Sequence, residues 1–105
     1  MVVPSVYVSP ENMAREIDRA VQKLGPEVVK VRYTIGPDSG GDPSIDFRIV
    51  LTDEASREEN LGEVNRTIVK ILRGELHPSE NWGMHLYTTI RSQSEDMELS
   101  DPMWM

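Results

Sequence analysis

Two alternating apolar runs, joined by a loop rich in glycine, proline and aspartate, constrain the fold of this chain more than any other feature. In EVVKVRYTI, residues 27–35, the alternating apolar set is Val29, Val31, Tyr33 and Ile35. In SIDFRIVLT, residues 44–52, it is Ile45, Phe47, Ile49 and Leu51. Successive side chains of a strand point to opposite faces, so each run predicts a strand with one buried face. The intervening IGPDSGGDPSID is typical of a hairpin loop.

An amphipathic helix is predicted before the hairpin, over residues 9–24. Ser9 is a natural N-cap, and Pro10 fits the first helical position, where its missing N–H is not needed. Gly25 and Pro26 together provide a stop signal. The apolar stripe consists of Met13, Ile17, Ala20, Val21 and Leu24.

A second helix is predicted over about residues 54–75, followed by a third strand in GMHLYTTIR, residues 83–91. Asp53 or Ser56 is the expected cap, because Ser56 and Glu59 have the spacing of a capping box. The helix should end near Gly74, and its apolar stripe is Leu61, Val64, Ile68, Ile71 and Leu72.

The order α-β-β-α-β predicts an α+β fold, a two-layer sandwich with two helices on one face of a three-stranded sheet. If Val2–Val8 added a strand, the pattern would become a ferredoxin-like variant with that strand at the centre. Pro4 cannot donate to a central ladder, so an N-terminal arm or edge strand is expected for residues 1–8. Residues 9–91 then form a single domain, and residues 92–105 an acidic tail.

Composition limits the classes of function. The 105 residues carry 11 basic and 18 acidic side chains, a net charge of −7, which argues against nucleic acid or anionic membrane as a partner. There is no cysteine for a disulfide or thiolate site. Neither a signal peptide nor a spanning segment is recognisable, so a cytoplasmic protein is expected.

The hairpin loop does not have the spacing of a ligand motif. Gly36, Gly40 and Gly41 lack the G-x-G-x-x-G spacing of a phosphate loop, and a strand follows where a helix is required. The aspartates fall four residues apart, whereas a calcium loop needs alternating ligands and a late glutamate. His77 and His85 form no H-E-x-x-H pattern, and no nucleophile elbow exists. We therefore expect no catalytic residue, no metal site and no cofactor.

Strand alternation predicts a basic face on the side of the sheet opposite the helices, with only Asp46 opposing the cations. These side chains are either solvated charges with their stems along the sheet or an anion-binding surface. Tyr87 is the single outward aromatic, too few for stacking single-stranded RNA. The candidate binding residues on this face are Lys30, Arg32, Arg48, His85, Tyr87 and Arg91.

The tail SQSEDMELSDPMWM combines four acids with apolar residues that include Met97, Leu99 and Trp104. Its composition predicts that it does not order unaided. One interpretation is a mobile terminus; the other is a segment that docks, with Leu99 and Trp104 as binding residues in pockets. We expect residues 94–104 to pack on the sheet of this chain or of a second copy, with Met97, Leu99 and Trp104 supplying buried area.

Residues 46–104 also resemble a group of small bacterial proteins of no assigned activity. The resemblance rests on the strand ending LTDEAS and on an arginine-serine-x-serine-glutamate run before a proline and a tryptophan: Arg91, Ser92, Ser94, Glu95, Pro102 and Trp104. It implies that the tail belongs to the natural protein and assigns no catalytic residue. The topology is similar to the cytoplasmic domain of cation-diffusion-facilitator transporters, but the histidine-rich ligands of that domain are absent.

The function expected from the sequence is a small non-enzymatic binding or regulatory module, which acts through protein–protein contacts of the sheet face and tail. Its partner is another protein or a second copy of the chain. A specific version is an antitoxin-like inhibitor that neutralises a basic partner. The alternative is a small-ligand-binding protein or an enzyme that uses the loop Gly36–Pro43 together with the basic face.

Overall fold

The computed structural model describes residues 10–99 and Trp104, and the predictions for residues 1–8 and for Ser9 as a cap lie outside the described residues. The described chain is α+β, with a three-stranded sheet and four helices, which confirms the predicted fold class. The elements are, in order, α1 (Pro10–Gln22), β1 (Val28–Pro37), β2 (Pro43–Leu51), α2 (Glu58–Leu76), α3 (Pro78–Trp82), β3 (His85–Ser92) and α4 (Gln93–Leu99).

The sheet is mixed, in the order β1-β2-β3. β1 and β2 form the predicted antiparallel hairpin, with strand pairing that extends to Pro37 and Pro43. β2 and β3 are parallel and directly paired. A ferredoxin-like arrangement needs another strand between β2 and β3, and their direct pairing contradicts it. The central-strand variant is therefore wrong.

The core lies between β2 and the helices, as the helical stripes predicted. Met13, Ile17 and Ala20 of α1 are buried, and Ile68 and Leu72 of α2 join them. The inward residues of β2 are fully buried: Ile45, Phe47, Ile49 and Leu51. Trp82 of α3 is also in the core. The strand phase predicted for β2 is thus confirmed.

In β1 the predicted inward set is only partly correct. The register shifts between Val28 and Lys30, so that Val28 lies opposite Leu51, and Val29 is 46% exposed. This irregularity moves Val29 out of the alternation. Tyr33 and Ile35 pair with Phe47 and Ile45 on the helix side but remain exposed, because β1 is an edge strand.

The ends of α2 differ from the prediction. The helix starts at Glu58 after Arg57, which makes no side-chain capping bond, so neither Asp53 nor Ser56 is the cap. Instead the Ser56 hydroxyl donates to the Asp53 carbonyl within a preceding turn. The helix passes Gly74 and ends at Leu76, where His77 takes the left-handed conformation, with φ 43°, ahead of Pro78. The stop is therefore set by Pro78.

Two short helices were not predicted. α3 begins at Pro78, its first residue, and buries Trp82. α4 forms the first half of the acidic tail, whereas the composition of the tail predicts no ordered structure for it in isolation. None of the helices among the described residues is both long and apolar enough to cross a membrane.

Candidate functional site

The sheet register brings all six predicted face residues to one side. Lys30 and Arg91 flank Val50 in one cross-strand row, and Arg32 and Arg48 occupy the next. Tyr87 lies beside Asp46, and His85 beside Ser44, towards the hairpin end. Because paired residues share a face, this surface lies opposite the core residues Ile45, Phe47, Ile49 and Leu51 of β2.

The tail covers the cationic end of this face. Asp96 of α4 accepts a hydrogen bond from the Lys30 ammonium at 3.1 Å. The Arg91 guanidinium lies over the Trp104 ring, 4.3 Å from its centroid. Trp104 is only 4% exposed, and Val50, between the two cations, is buried. The tail therefore packs on the sheet of its own chain.

Two further sets of hydrogen bonds join the tail to the domain. Ser92 and Glu95 form a reciprocal capping box at the start of α4, in which each backbone N–H donates to the other side chain at 3.1 Å. The N–H and hydroxyl of Ser94 donate to Asp53, the residue that follows Thr52 after β2. The Ser94 hydroxyl, and then its N–H, hold the pKa of the Asp53 carboxyl below its ordinary value. This arrangement fixes where α4 starts.

The opposite side of α4 is open. Met97 is 75% exposed and Leu99 is 56% exposed, and the helix contains no buried residue. Met97 and Leu99 supply no buried area on the sheet of their own chain, where Trp104 alone among the described tail residues is buried. Their burial against a second copy stays a prediction. One face of the tail thus attaches it, and the other presents apolar side chains among acids.

Arg48 is more enclosed than Lys30, with its side chain 13% exposed against 30%. Its Nη1 donates to the Thr34 hydroxyl at 2.5 Å and lies 4.0 Å from the Asp46 carboxylate. Its buried Nε has no hydrogen-bond partner among the described residues. Arg48 is therefore held in place by neighbours on the same face.

The hairpin end of the face is not basic, contrary to the prediction that only Asp46 opposes the cations. The loop folds back so that Asp38 accepts the Tyr87 hydroxyl at 2.9 Å. Asp42 Oδ2 lies 3.9 Å from His85 Nε2. Sequence spacing gave no signal for these contacts, because the loop and β3 meet only through the sheet. The face is consequently divided into a cationic end under the tail and a mixed end beside the loop.

Asp38 organises the loop. Its Oδ1 accepts the N–H of Gly40 at 2.9 Å and the N–H of Asp42 at 3.0 Å. The backbone N–H of Asp42, and next the Tyr87 hydroxyl, lower the pKa of the Asp38 carboxyl. The same bond raises the pKa of the Tyr87 phenol, because the phenolate could not donate it. These contacts account for the loop geometry without a ligand.

The loop corner also brings possible metal ligands together. Ligand atoms of Asp38, Asp42 and His85 lie within 4.8 Å of one another. Both oxygens of Asp38 already accept hydrogen bonds, and the His85 and Asp42 side chains are 60% and 66% exposed. Asp38 is already engaged in structuring the loop, and the other two ligands are exposed to solvent, so the absence of a metal site stays a prediction.

A cavity of about 330 Å³ lies between the start of α2 and the segment Gly25–Val28. It is lined by three glutamates beside apolar and amide groups: Glu27, Glu54, Glu63, Val64, Ile68 and Asn60. Among the described residues, no histidine or basic side chain lines this cavity. It therefore does not place a carboxylate beside a histidine or lysine that could share general acid–base catalysis with it.

Comparison with known proteins found no matching family model, no matching curated protein and no matching solved structure.

Proposed function

We propose that this chain is a small non-enzymatic binding module that acts through protein–protein contacts of its sheet face and tail. The observation that carries the proposal is the two-sided tail helix. Asp96 and Trp104 attach the tail to the sheet, while Met97 and Leu99 remain exposed beside the acids Glu95 and Glu98.

The attachment has an energetic consequence for binding. A helix of seven residues is not stable in water by itself, because nucleation costs more than so few bonds return. Its capping box and its contacts with the sheet order it in advance, which removes an ordering cost from association. A partner therefore meets a formed helix with two exposed apolar anchors.

The chemistry of α4 indicates a basic partner. Its charged residues are the acids Glu95, Asp96 and Glu98, and it contains no base. A surface with apolar pockets for Met97 and Leu99, rimmed by Lys or Arg, would complement it. An inhibitor that neutralises a basic protein, such as a nuclease toxin, is the specific form of this proposal.

The test is affinity capture from the source cells with the full chain and with a Met97→Ser, Leu99→Ser double variant. A basic protein should be retained by the wild type and released by salt, and the double variant should lose it. Val29→Ser is the matched control, because Val29 is 46% exposed but lies on β1. If the double variant keeps every partner of the wild type, α4 is not the docking surface.

A second candidate function is a small-ligand-binding protein or enzyme at the hairpin end of the face. It is favoured by the Tyr87–Asp38 bond, which brings the loop Gly36–Pro43 onto the sheet face. A thermal-shift screen of small anions and metabolites tests it, since a ligand specific for the folded state raises the melting temperature. A hit should lose its effect in Tyr87→Phe, and a screen without hits would count against this candidate.

A further inference from the structure

The cavity of about 330 Å³ at the start of α2 shares no lining residue with the tail or with the candidate binding residues of the sheet face. Its walls come from three parts of the chain: the segment that leads into β1, the turn that follows β2, and one side of α2. Its volume lies at the lower end of the range of small-molecule sites, roughly 300–1,000 Å³. The cavity is therefore of a size to hold a compact ligand.

Hydrogen bonds hold the walls of this cavity together. The Thr52 N–H donates to the Glu27 carbonyl at 2.9 Å, which ties the turn after β2 to the segment before β1. The Ala55 N–H donates to the Thr52 hydroxyl at 3.2 Å. The Asn60 amide nitrogen donates to the Glu54 carbonyl at 3.0 Å, which joins the same turn to α2. The cavity is thus formed in advance, so binding does not have to order the chain around a ligand.

Apolar side chains make up part of the lining. Ala55 and Ile68 belong to the core cluster and are only 6% and 3% exposed. Val28 and Val64 pack against that cluster and also line the cavity. An apolar ligand group placed against these residues would be removed from water on that side, which favours binding.

The charged groups of the lining are all carboxylates, those of Glu27, Glu54 and Glu63. Every Lys, Arg and His of the chain falls within residues 10–99, and none of them lines the cavity. Nor does any of these basic side chains form an ion pair with one of the three glutamates. Carboxylates that no basic side chain of the chain neutralises attract a cation to the cavity.

A metal ion does not fit this lining. In the part of the chain that the structure describes, the acidic and histidine ligand atoms that lie within 4.8 Å of one another are those of Asp38, Asp42 and His85, so the three glutamates do not converge on one point. A metal ion would also make no use of the apolar wall. A neutral apolar ligand would in turn leave the carboxylates without a partner.

We propose that this cavity binds a small organic cation, in which a primary ammonium or amidinium group is attached to a compact apolar body. The cationic group pairs with the carboxylates, and the apolar body lies against Ala55, Val64 and Ile68. The cavity and its apolar wall define the site, and the carboxylates decide the charge of the ligand.

The experiment uses the full chain and four probes. They are 2-phenylethylammonium, its neutral isostere 2-phenylethanol, its anionic counterpart 3-phenylpropionate, and ethylammonium, which has the charge without the ring. The net charge of −7 attracts both ammonium probes at long range, so ethylammonium measures that contribution. We expect 2-phenylethylammonium to bind at least about 10-fold more tightly than each of the other three, as measured by NMR titration of the backbone amides. The shifts should be concentrated in residues 25–28, 52–55 and 60–71.

Carboxamide variants test the contribution of the carboxylates. Glu63→Gln should weaken 2-phenylethylammonium by up to about 5-fold, the scale of one exposed ion pair. The double variant Glu27→Gln, Glu63→Gln should weaken it by at least about 10-fold. Glu58→Gln is the matched control, because it removes the same charge from α2 but lines a different depression, beside Thr88 and Ile90. It should bind the probe as the wild type does.

Several results would overturn the proposal. They are failure of 2-phenylethylammonium to shift the amides of the lining, binding of ethylammonium that is equally tight, and equal weakening by Glu58→Gln and Glu63→Gln. A fifth probe, lysine capped at both ends, distinguishes a free ligand from a lysine side chain of a partner protein. Tighter binding of capped lysine than of 2-phenylethylammonium would assign the cavity to a protein and contradict a small-molecule site.

No residue of α4 lines the cavity. The capture experiment with the Met97 and Leu99 variant can therefore fail or succeed independently of this one.

Discussion

The guanidinium carbon of Arg91 lies 4.3 Å from the centre of the Trp104 ring, within the range of a cation–π contact. Arg91 is on β3 and Trp104 follows α4, so this contact closes the tail over the row that contains Val50. A charged group and a buried aromatic ring thus hold the same segment, and their contributions can be separated experimentally.

Tryptophan fluorescence tests the docked tail. In a Trp82→Phe background, Trp104 is the only reporter, and its burial predicts blue-shifted emission with little access to a quencher. High salt should leave this shielding in place, because salt screens the charged contacts and not the apolar ones. Trp104→Phe, which leaves the core residue Trp82 as reporter, supplies the reference. Red-shifted emission with full quencher access at low salt would contradict the docked tail.

The Lys30–Asp96 pair should contribute little to holding the tail. Both side chains are partly exposed, at 30% and 18%, and such ion pairs are worth about 0–1 kcal/mol. Asp96→Asn should therefore lower the free energy of unfolding by no more than that, with Trp104 still shielded. Trp104→Ala should instead accelerate amide exchange in α4. Loss of Trp104 shielding in Asp96→Asn would show that charge holds the tail.

Phe47→Ala tests the phase of β2. Phe47 is fully buried in the core cluster, and a large-to-small change of this kind costs about 3–5 kcal/mol. Val29→Ala, at the shifted register of β1, should stay within about 0.5 kcal/mol, as for a surface substitution. Urea denaturation measures both. A loss below about 1 kcal/mol for Phe47→Ala would mean that the strand faces are inverted.

The Asp38–Tyr87 bond predicts a stability difference that depends on pH. The folded pKa of Asp38 is below its ordinary value of 3.8. The ionised carboxylate therefore stabilises the fold fully above pH 3.8, and this stabilisation is lost as pH falls through the lower folded pKa. The folded pKa of Tyr87 is above its ordinary value of 10.0. The protonated hydroxyl therefore stabilises the fold fully below pH 10.0, and this stabilisation is lost as pH rises through the higher folded pKa. The melting temperatures of the wild type and Tyr87→Phe should differ most between these limits.

The measurement for this pair is a series of thermal melts from acid to alkaline pH. Tyr33→Phe, on the other face of the sheet, is the control. A difference between the wild type and Tyr87→Phe that stays constant below pH 3.8 and above pH 10.0 would mean that the bond is not formed in solution.

The two loop aspartates should respond differently to amidation. Asp38 accepts bonds from two backbone N–H groups and the Tyr87 hydroxyl, so Asp38→Asn should lower the melting temperature. Asp42, 66% exposed, should tolerate Asn without a measurable change. The sequence alone predicts equal tolerance, because the Tyr87 contact is invisible in it. Calcium or magnesium should not move the melting curve, and a clear metal-dependent rise would overturn this interpretation of the loop.

Sequence periodicity and turn residues predicted the features that depend on neighbouring residues in the chain. The stripe of α1, the hairpin and the buried face of β2 follow from periodicity and turn residues, and all three are confirmed. The exposure of Val29 was not predictable, because a register shift is decided by the pairing of two strands. The capping box of Ser92 and Glu95 has a visible S-x-x-E spacing and could have predicted α4, but the acidic composition of the tail argued against order.

In the candidate site, too, local sequence predicted some features, while contacts between distant parts of the chain decided others. Strand alternation placed Lys30, Arg48 and Arg91 on one face, which the register bears out. It could not show that Asp38 reaches Tyr87, since that contact joins a loop to a strand far along the chain. Nor could it show which tail residue is buried, because Trp104, Met97 and Leu99 are all apolar and only packing distinguishes them.

The direct parallel pairing of β2 with β3 also bears on the order of folding. β1 and β2 are joined by a tight hairpin, which closes a short loop, whereas β3 can join β2 only after the chain between Leu51 and His85 has folded back as α2 and α3. The surface on which the tail rests includes β3, so it does not exist until that late step. We therefore expect the two-stranded hairpin to form early, and the shielding of Trp104 to be among the last signals to appear in a refolding experiment.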